Sequence, residues 1–508
     1  MQVPLPARWL VKTTRSAANL DDASAARVEQ LLLLVPQDAE AVPWQTLPGG
    51  AALRKVAARH HGKPPVPLAT TRLDNAPATS VLVAGVAADA APFRLLDTAR
   101  QLVAAGLAEQ PASIGIAACG FDEETAERFV RGLFRALQAA AFALPKFTRE
   151  APPRPRLKQL RVFGTRPRFN LRAAEAAAEG NNLARWLTAM PPDRLGAGDY
   201  RRLVARLARA HGWQHRFLDE KALRQAGAGA FLAVARANPD RDAGIVHLRY
   251  RPRRATRPSL ALVGKGIVFD TGGANLKPFK AMLDMHMDMA GSATALGTLL
   301  ALTRLEVDYP IDCWLAITPN RIGSRAYTAH EVLTASNGVT IQVVHTDAEG
   351  RLVLADTLAL AGRERPRLII DYATLTGSCV AALTDRYSGV FTNRPALHAP
   401  LVAAGRESGE RVWPFPLDDD FDEHLKSDTA DVLQCAIANE GDHILAARFL
   451  SRFVPEDCAW VHMDMAAGMR SDGLGAVGTK ATGFGVDYTL ELLGGQSAGP
   501  CALASLAR

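Results

Sequence analysis

Long apolar runs are scarce in this sequence. The densest, LLLLV at 31–35, falls far short of the roughly 18–20 residues that a membrane-spanning helix needs. Paired cysteine spacing is missing as well. Cys119, Cys313, Cys379, Cys435, Cys458 and Cys501 are scattered, so free thiols in a reducing, cytoplasmic setting are expected rather than a disulfide framework. The opening residues, MQVPLPARWLVKTTRS, hold neither a long apolar core nor a small-residue cleavage site, and no secretory leader is expected. There is no HExxH: His330-Glu331 lacks the second histidine, which argues against a zinc site of the His-rich type. No cysteine lies in an electropositive motif, so a nucleophilic thiol has no support. The GKG at 264–266 is followed by neither Ser nor Thr, so it is not a Walker loop.

What is present is a long, moderately apolar chain. Its 508 residues exceed what one core ordinarily holds, so two domains are expected. With 48% apolar and 22% charged residues it falls in the soluble globular class. The net charge of +7 is matched by one stretch: Arg154, Arg156, Lys158, Arg161, Arg166, Arg168 and Arg172, with no acid among them. A nucleic-acid patch would use such a stretch. A solvated connector between domains is the preferred reading, because only Phe163 and Phe169 interleave and no nucleic-acid motif fits.

Residues 1–150 alternate short β-like runs (LLLLV, SVLVAGVA, SIGIAA) with Ala-rich helical runs, the pattern of an α/β domain with a largely parallel sheet. His60 and His61 lie in a polar, Gly-flanked context and read as surface. APPRPR at 151–156 is the best boundary signal, and a helical connector follows at 171–190. Beyond it the alternation resumes with longer strands: SLALVGKGIVF (259–269), DCWLAITP (312–319), VTIQVV (339–344) and RLIIDYATL (367–375). Near-continuous apolar strands between helices predict a sheet buried on both faces. Sites in such sheets form at the carboxyl ends of the strands.

Three acidic clusters lie after predicted strands. In HTDAEGRL (345–352) an extended backbone would point Asp347, Glu349 and Arg351 the same way. Two carboxylates on one face repel unless a cation lies between them; the competing reading is a helix N-terminus with acidic capping residues. Gly350 would allow a tight turn into the helix. In ALVGKGIVFDTGGANLKP (261–278), the glycines free the backbone for close approach to something small, and Asp270 at a strand end suits a hard cation. In MLDMHMDMAGSATALGTLL (282–300), Asp284 and Asp288 are four apart and would share a helical face. Four such acids suit two divalent metals.

These clusters, in this order, resemble the leucyl aminopeptidase family of dinuclear metallopeptidases. HTDAEGRL stands where the family has NTDAEGRL, VGKGIVFDTGG resembles VGKG-x-x-FDSGG, and NLKP and MDMAG resemble its S-x-KP and D-M-x-G. DYATLTG (371–377) and WVHMDMAAGM (460–469) also fall on similar blocks, and the likeness covers about 190–508. The resemblance implies an α/β fold in two domains. A smaller N-terminal α/β domain with the basic connector would cover 1–165. A larger catalytic α/β domain, with a mixed central sheet flanked by helices, would cover 166–508. It implies an aminopeptidase working through a metal-bridging water, with two Mn²⁺ or Zn²⁺ ions per subunit. Lys265, Asp270, Asp288 and Glu349 would hold one metal; Asp270, Asp347 and Glu349 would hold the other. Lys277 would polarise the scissile carbonyl, and Arg351 would anchor a bicarbonate that acts as general base. Met285, Thr374, Ala466 and Met469 would line the first side-chain pocket, which implies a Leu- or Met-like preference. Leu375 and Gly377 of DYATLTG belong to the same expected site. Small peptides would be the substrates, and the family's hexamer predicts self-association.

The sequence also departs from the family. His345 replaces Asn and is expected as a hydrogen-bond partner behind the ligands. SRAYTAHEV (324–332) lacks the usual Pro-Gly-Asp, and CAIANEGDHILAARFL (435–450) lacks a small-residue loop. Asp284 matches no family ligand and is expected behind the ligands or in solvent. A two-metal phosphoesterase and a DNA-binding side function, resting on the basic stretch, are the competing readings.

Overall fold

The computed structural model describes residues 4–16, 20–60, 65–149, 156–166, 168–253, 259–438 and 440–494. His61, Arg154, Cys501 and all but the last residue of APPRPR lie outside them. The chain divides into two compact units. The first joins Pro6–Ala178 to Ser471–Lys480; the second is built from Glu179–Arg470 and the segment that begins at Ala481. The division falls inside a helix, Arg172–Thr188.

In the first unit, β1 (Lys12–Ser16), β2 (Gln30–Pro36), β3 (Ala69–Arg72), β4 (Ser80–Val86), β5 (Ser113–Ala118) and β6 (Gln159–Phe163) form one sheet. Its order is β1-β6-β5-β2-β4-β3, parallel except for the β3 edge. The LLLLV run alternates its burial. Leu31, Leu33 and Val35 pack with Leu53 and Ala57 of the helix Gly50–Ala57. Leu32 and Leu34 pack with helices Pro92–Leu107 and Glu123–Ala141. Both faces are therefore apolar, which is why the run reads as continuous. The basic stretch is not a solvated connector: Leu160, Val162 and Phe163 are buried within β6. Arg166 is committed to Glu127 through paired contacts of 2.8 and 2.7 Å.

The second unit contributes β7 (Gln214–Leu218), β8 (Gly244–Tyr250), β9 (Leu260–Asp270) and β10 (Ile311–Asn320). There follow β11 (Val332–Thr334), β12 (Thr340–Gln342), β13 (Leu368–Ala373) and β14 (Ser388–Thr392). Last come β15 (Val412–Pro414), β16 (Val432–Leu433) and β17 (Ala459–Asp464). The main sheet is mixed, in the order β15-β14-β17-β13-β9-β10-β8-β7, and β11-β12-β16 form a small separate sheet. At its centre β17, β13, β9 and β10 run parallel. Two almost wholly buried helices cover β9 on opposite faces. Ala261 and Val263 pack against the apolar side chains of Glu349–Gly362, while Gly264 backs onto Ala290–Arg304. A Cβ on Gly264 would lie 2.4 Å from Ser292 Cα. That glycine therefore serves helix packing rather than the approach of a small ligand.

Candidate active site

Four parallel strands end on one side of the main sheet, and their carboxyl ends carry polar residues of the site. Asp270 ends β9, Asn320 ends β10, Thr374 follows β13 and Asp464 ends β17. Lys265 sits mid-strand on β9. It lies five positions before Asp270, so an ideal strand would point the two to opposite faces. The pairing with β10 corrects this. Ile267 pairs with Thr318 but Asp270 pairs with Asn320, so β9 carries one extra residue there. This bulge returns Asp270 to the face of Lys265 and of the helix Glu349–Gly362.

The charges interlock. Lys265 Nζ lies 2.7 Å from Asp288 Oδ1 and 3.0 Å from Glu349 Oε1, and donates to the Thr374 carbonyl at 2.8 Å. Lys277 Nζ lies 2.9 Å from Asp270 Oδ2 and 2.5 Å from Asp347 Oδ1. Asn320 Nδ2 donates to Asp270 Oδ1 at 2.8 Å, and Thr374 Oγ1 donates to Asp288 Oδ1 at 2.7 Å. Oxygens of Asp270, Asp347 and Glu349 all lie within 4.8 Å of one another. Four carboxylates thus face two ammoniums. Burial first, and then mutual repulsion, raise Asp288, Asp347 and Glu349 above the usual carboxylate range. Burial works against the charge of both lysines, but the surrounding carboxylates outweigh it and hold them above the ordinary lysine range. Asp288 Oδ2 is buried and has no hydrogen-bond partner.

The backbone reaches this arrangement differently from the sequence expectation. β12 stops at Gln342, and the helix begins at Glu349 behind a non-helical Ala348. Asp347 and Glu349 therefore converge across a helix start, not along an extended strand. The position is a helix N-terminus, yet no side chain makes a capping hydrogen bond at Ala348. Gly350 clears space for Lys265: a Cβ there would lie 2.6 Å from Lys265 Cε. Asp284 and Asp288 do not share an α-helical face. They bracket a single 3₁₀ turn, Met285–Met287, which leaves Asp288 buried and Asp284 half-buried.

Arg351 is drawn elsewhere. It is buried, and its Nη2 contacts both Asp442 oxygens at 2.8 Å while Nη1 donates to the Gln434 carbonyl at 3.3 Å. Its Nε is buried without a partner. The guanidinium expected to hold bicarbonate is thus paired with a carboxylate of the chain itself. Arg351, Asp442, Lys277, Asp347 and His345 line a cavity of about 670 Å³ with Leu375, Thr376, Gly377 and Ser378. His345 Nδ1 accepts from the Asp347 backbone at 3.2 Å. Burial, then Lys277 and Arg351, lower its pKa against the pull of Asp442, and with Nδ1 accepting, a neutral ring carries its proton on Nε2. Gln434 clamps the loop: its Oε1 accepts from Val344 and His345 N, and its Nε2 donates to the Ala348 carbonyl.

Leu375 and Gly377, expected at the site, line this cavity; Met285, Thr374, Ala466 and Met469, expected in the first side-chain pocket, are not among its walls. Thr374 instead touches the charge cluster directly. Sequence reasoning passed over Asn320, Gln434, Asp442 and Asp464. Asp464 accepts from Leu375 N, Thr376 N and the Thr376 hydroxyl, pinning the cavity wall to β17. The register of Asn320 against Asp270 could be found only from strand pairing. Asp442 lies in the segment whose departure from the family pattern was visible, though nothing in it singled out that residue.

The profile of the "Cytosol aminopeptidase family, catalytic domain" matches residues 182–490. A Polaromonas sp. (strain JS666 / ATCC BAA-500) protein described as "Probable cytosol aminopeptidase" is 35% identical over 476 residues, covering 92% of each chain. Another so described, from Synechococcus sp. (strain WH7803), is 36% identical over 372 residues, covering 72% of this chain and 75% of that one. Among solved structures, a mutant of tomato leucine aminopeptidase is similar with a TM-score of 0.83 at 26% identity, covering 95% of this chain and 96% of that one.

Proposed function

The chain belongs to the cytosol aminopeptidase family, and from that premise we propose that it releases apolar, Leu- or Met-like residues from the N-termini of short peptides with two divalent cations per subunit. It is a peptide hydrolase by family. The observation that carries the finer reading is the carboxylate set around the cavity. Asp270, Asp347 and Glu349 offer oxygens close enough to share a cation, Asp288 turns an unpartnered buried oxygen inward, and two negative charges exceed the lysines present. Such a hard-oxygen set fits divalent cations.

Asp270, Asp288 and Glu349 would hold one ion; Asp270, Asp347 and Glu349 would hold the other. Lys265 could join the first group only as a neutral amine. When bound, the pair supplies Lewis-acid polarisation and acidifies water. The chain's own residues do the rest. Lys277, on the cavity wall, meets the scissile carbonyl oxygen and stabilises the negative charge that builds on it. Asp464 and Asp288 hold the 374–376 segment at the edge of the reacting centre. Manganese or zinc as the native ions, a cytoplasmic location and a homohexameric assembly belong to the same proposal and rest on family membership.

The protein loaded with Mn²⁺ or Zn²⁺ is expected to release leucine from leucyl amide and to act on dipeptides with an apolar first residue. Glu349→Gln is expected to abolish turnover and to lower the metal content measured by atomic emission. Wild-type failure across a dipeptide panel, or a fully active Glu349→Gln, would remove the reading.

A further inference from the structure

Arg351 is a buried cation whose ion-pair partner is supplied from a distant part of the chain. Asp442 opens the ten-residue helix Asp442–Ser451, and Gly441, in the left-handed region at φ 64°, turns the chain into it. The carboxylate then reaches Arg351 Nη2 through both oxygens. A carboxylate offers about four lone-pair sites. The contacts with Arg351 use one on each oxygen. The Asp442 side chain keeps 20% of its surface exposed, and that surface borders the cavity shared with Lys277 and Asp347. Asp347, by contrast, is bound to Lys277 at 2.5 Å, and the other acids of the cluster are engaged with Lys265, Lys277 or Asn320. Asp442 is the cavity carboxylate that lies outside that cluster, fixed in direction by a guanidinium that cannot retreat into solvent.

We propose that Asp442 is the proton acceptor of the hydrolysis, positioned by Arg351, so that this enzyme carries its own base and needs no small oxyanion from solution. The inference rests on the aminopeptidase reading above. As the attacking water forms its bond to the carbonyl carbon, its O–H bond breaks and the proton moves to an Asp442 oxygen facing the cavity. When the C–N bond breaks, the same proton passes to the departing amine and the carboxylate is restored. Arg351 is a positioning residue: it touches Asp442, not the substrate.

The test compares wild type, Asp442→Asn and Asp442→Ala, metal-loaded, in carbonate-free buffer and with added bicarbonate or formate at constant pH and ionic strength. Wild-type kcat is expected to be the same in all buffers. In carbonate-free buffer both variants are expected to lose on the order of 10²–10⁴-fold in kcat, with KM and metal content little changed. Asp442→Ala, which opens space on Arg351, is expected to recover part of its kcat with bicarbonate or formate. It is also expected to bind bicarbonate in calorimetry, where wild type shows no binding. Wild type activated by bicarbonate, wild type binding it in calorimetry, or Asp442→Asn with near-normal kcat would each overturn the assignment while leaving the aminopeptidase reading intact. The wild-type measurements need no variant to fold. An enzyme inactive on every peptide with a free amino terminus would instead remove the reading beneath it.

Discussion

Gly350→Ala sets two effects against each other. Gly350 lies in the first turn of the helix Glu349–Gly362, where alanine is favoured over glycine by about 1 kcal/mol. On helix propensity alone the variant should be more stable. The added Cβ, however, would lie 2.6 Å from Lys265 Cε and 2.8 Å from its Nζ. Ordinary carbon contacts begin near 3.5 Å, so the lysine must retreat by about 0.9 Å. Its ammonium is buried, and its contacts of 2.7, 2.8 and 3.0 Å to Asp288, Thr374 and Glu349 would stretch beyond hydrogen-bonding range. Breaking a buried pair costs about 3–5 kcal/mol, which leaves a net loss of about 2–4 kcal/mol after the propensity gain. A misplacement near 1 Å beside the reacting centre costs about 10²-fold in rate. Urea unfolding of the metal-free protein reads the first quantity, and kcat/KM with metal content reads the second. A variant that is about 1 kcal/mol more stable and fully active would refute the close-approach argument.

Two further outcomes follow from other contacts. Lys277→Met is expected to lower kcat on the order of 10²–10³-fold with a smaller change in KM, checked by steady-state hydrolysis of leucyl amide; equal losses in binding and turnover would argue against its carbonyl-polarising role. Asp356→Ala strips the acceptors from the Phe231 and Ser336 amides, held at 2.7 and 2.6 Å, and should destabilise by about 2–5 kcal/mol in urea. Burial raises the Asp356 pKa from 3.8 to about 6. Its contribution is therefore fully present below the unfolded value and lost as pH rises through about 6. The wild type should lose stability over that window, and the variant should lack that part of the slope.

Much of the fold was legible because the second unit's strands are apolar on both faces. A run such as DCWLAITP admits little else, and β10 spans Ile311–Asn320. The mixed sheet and the acids at strand ends follow the sequence expectation. Local geometry was less legible. HTDAEGRL reads equally as an extended ligand strand or a helix start, and only its packing against Lys265 decides between them. The 282–288 stretch has helical spacing but forms a 3₁₀ turn, and no residue in it announces that. The basic stretch reads as a linker because its charges alternate with the apolar residues that make it a strand. The return of Ser471–Lys480 to the first unit is invisible to any reading that seeks a single boundary. Asp442 escaped notice because its partner lies 91 positions away, and one acid before a helix carries no signal by itself.

The extra residue in β9 has an implication for how this activity can be lost. A deletion of one residue between Ile267 and Asp270 would regularise the strand, and its pairing with β10 would continue without interruption. Yet Asp270 would then face the helix Ala290–Arg304 while Lys265 kept its place. Such a chain would keep its strand pairing, at a cost in stability for the carboxylate turned against an apolar helix, and would be inert. Inactive descendants of this protein are thus to be sought not only among chains that have lost an acidic residue, but also among those that have kept every one and shortened this strand.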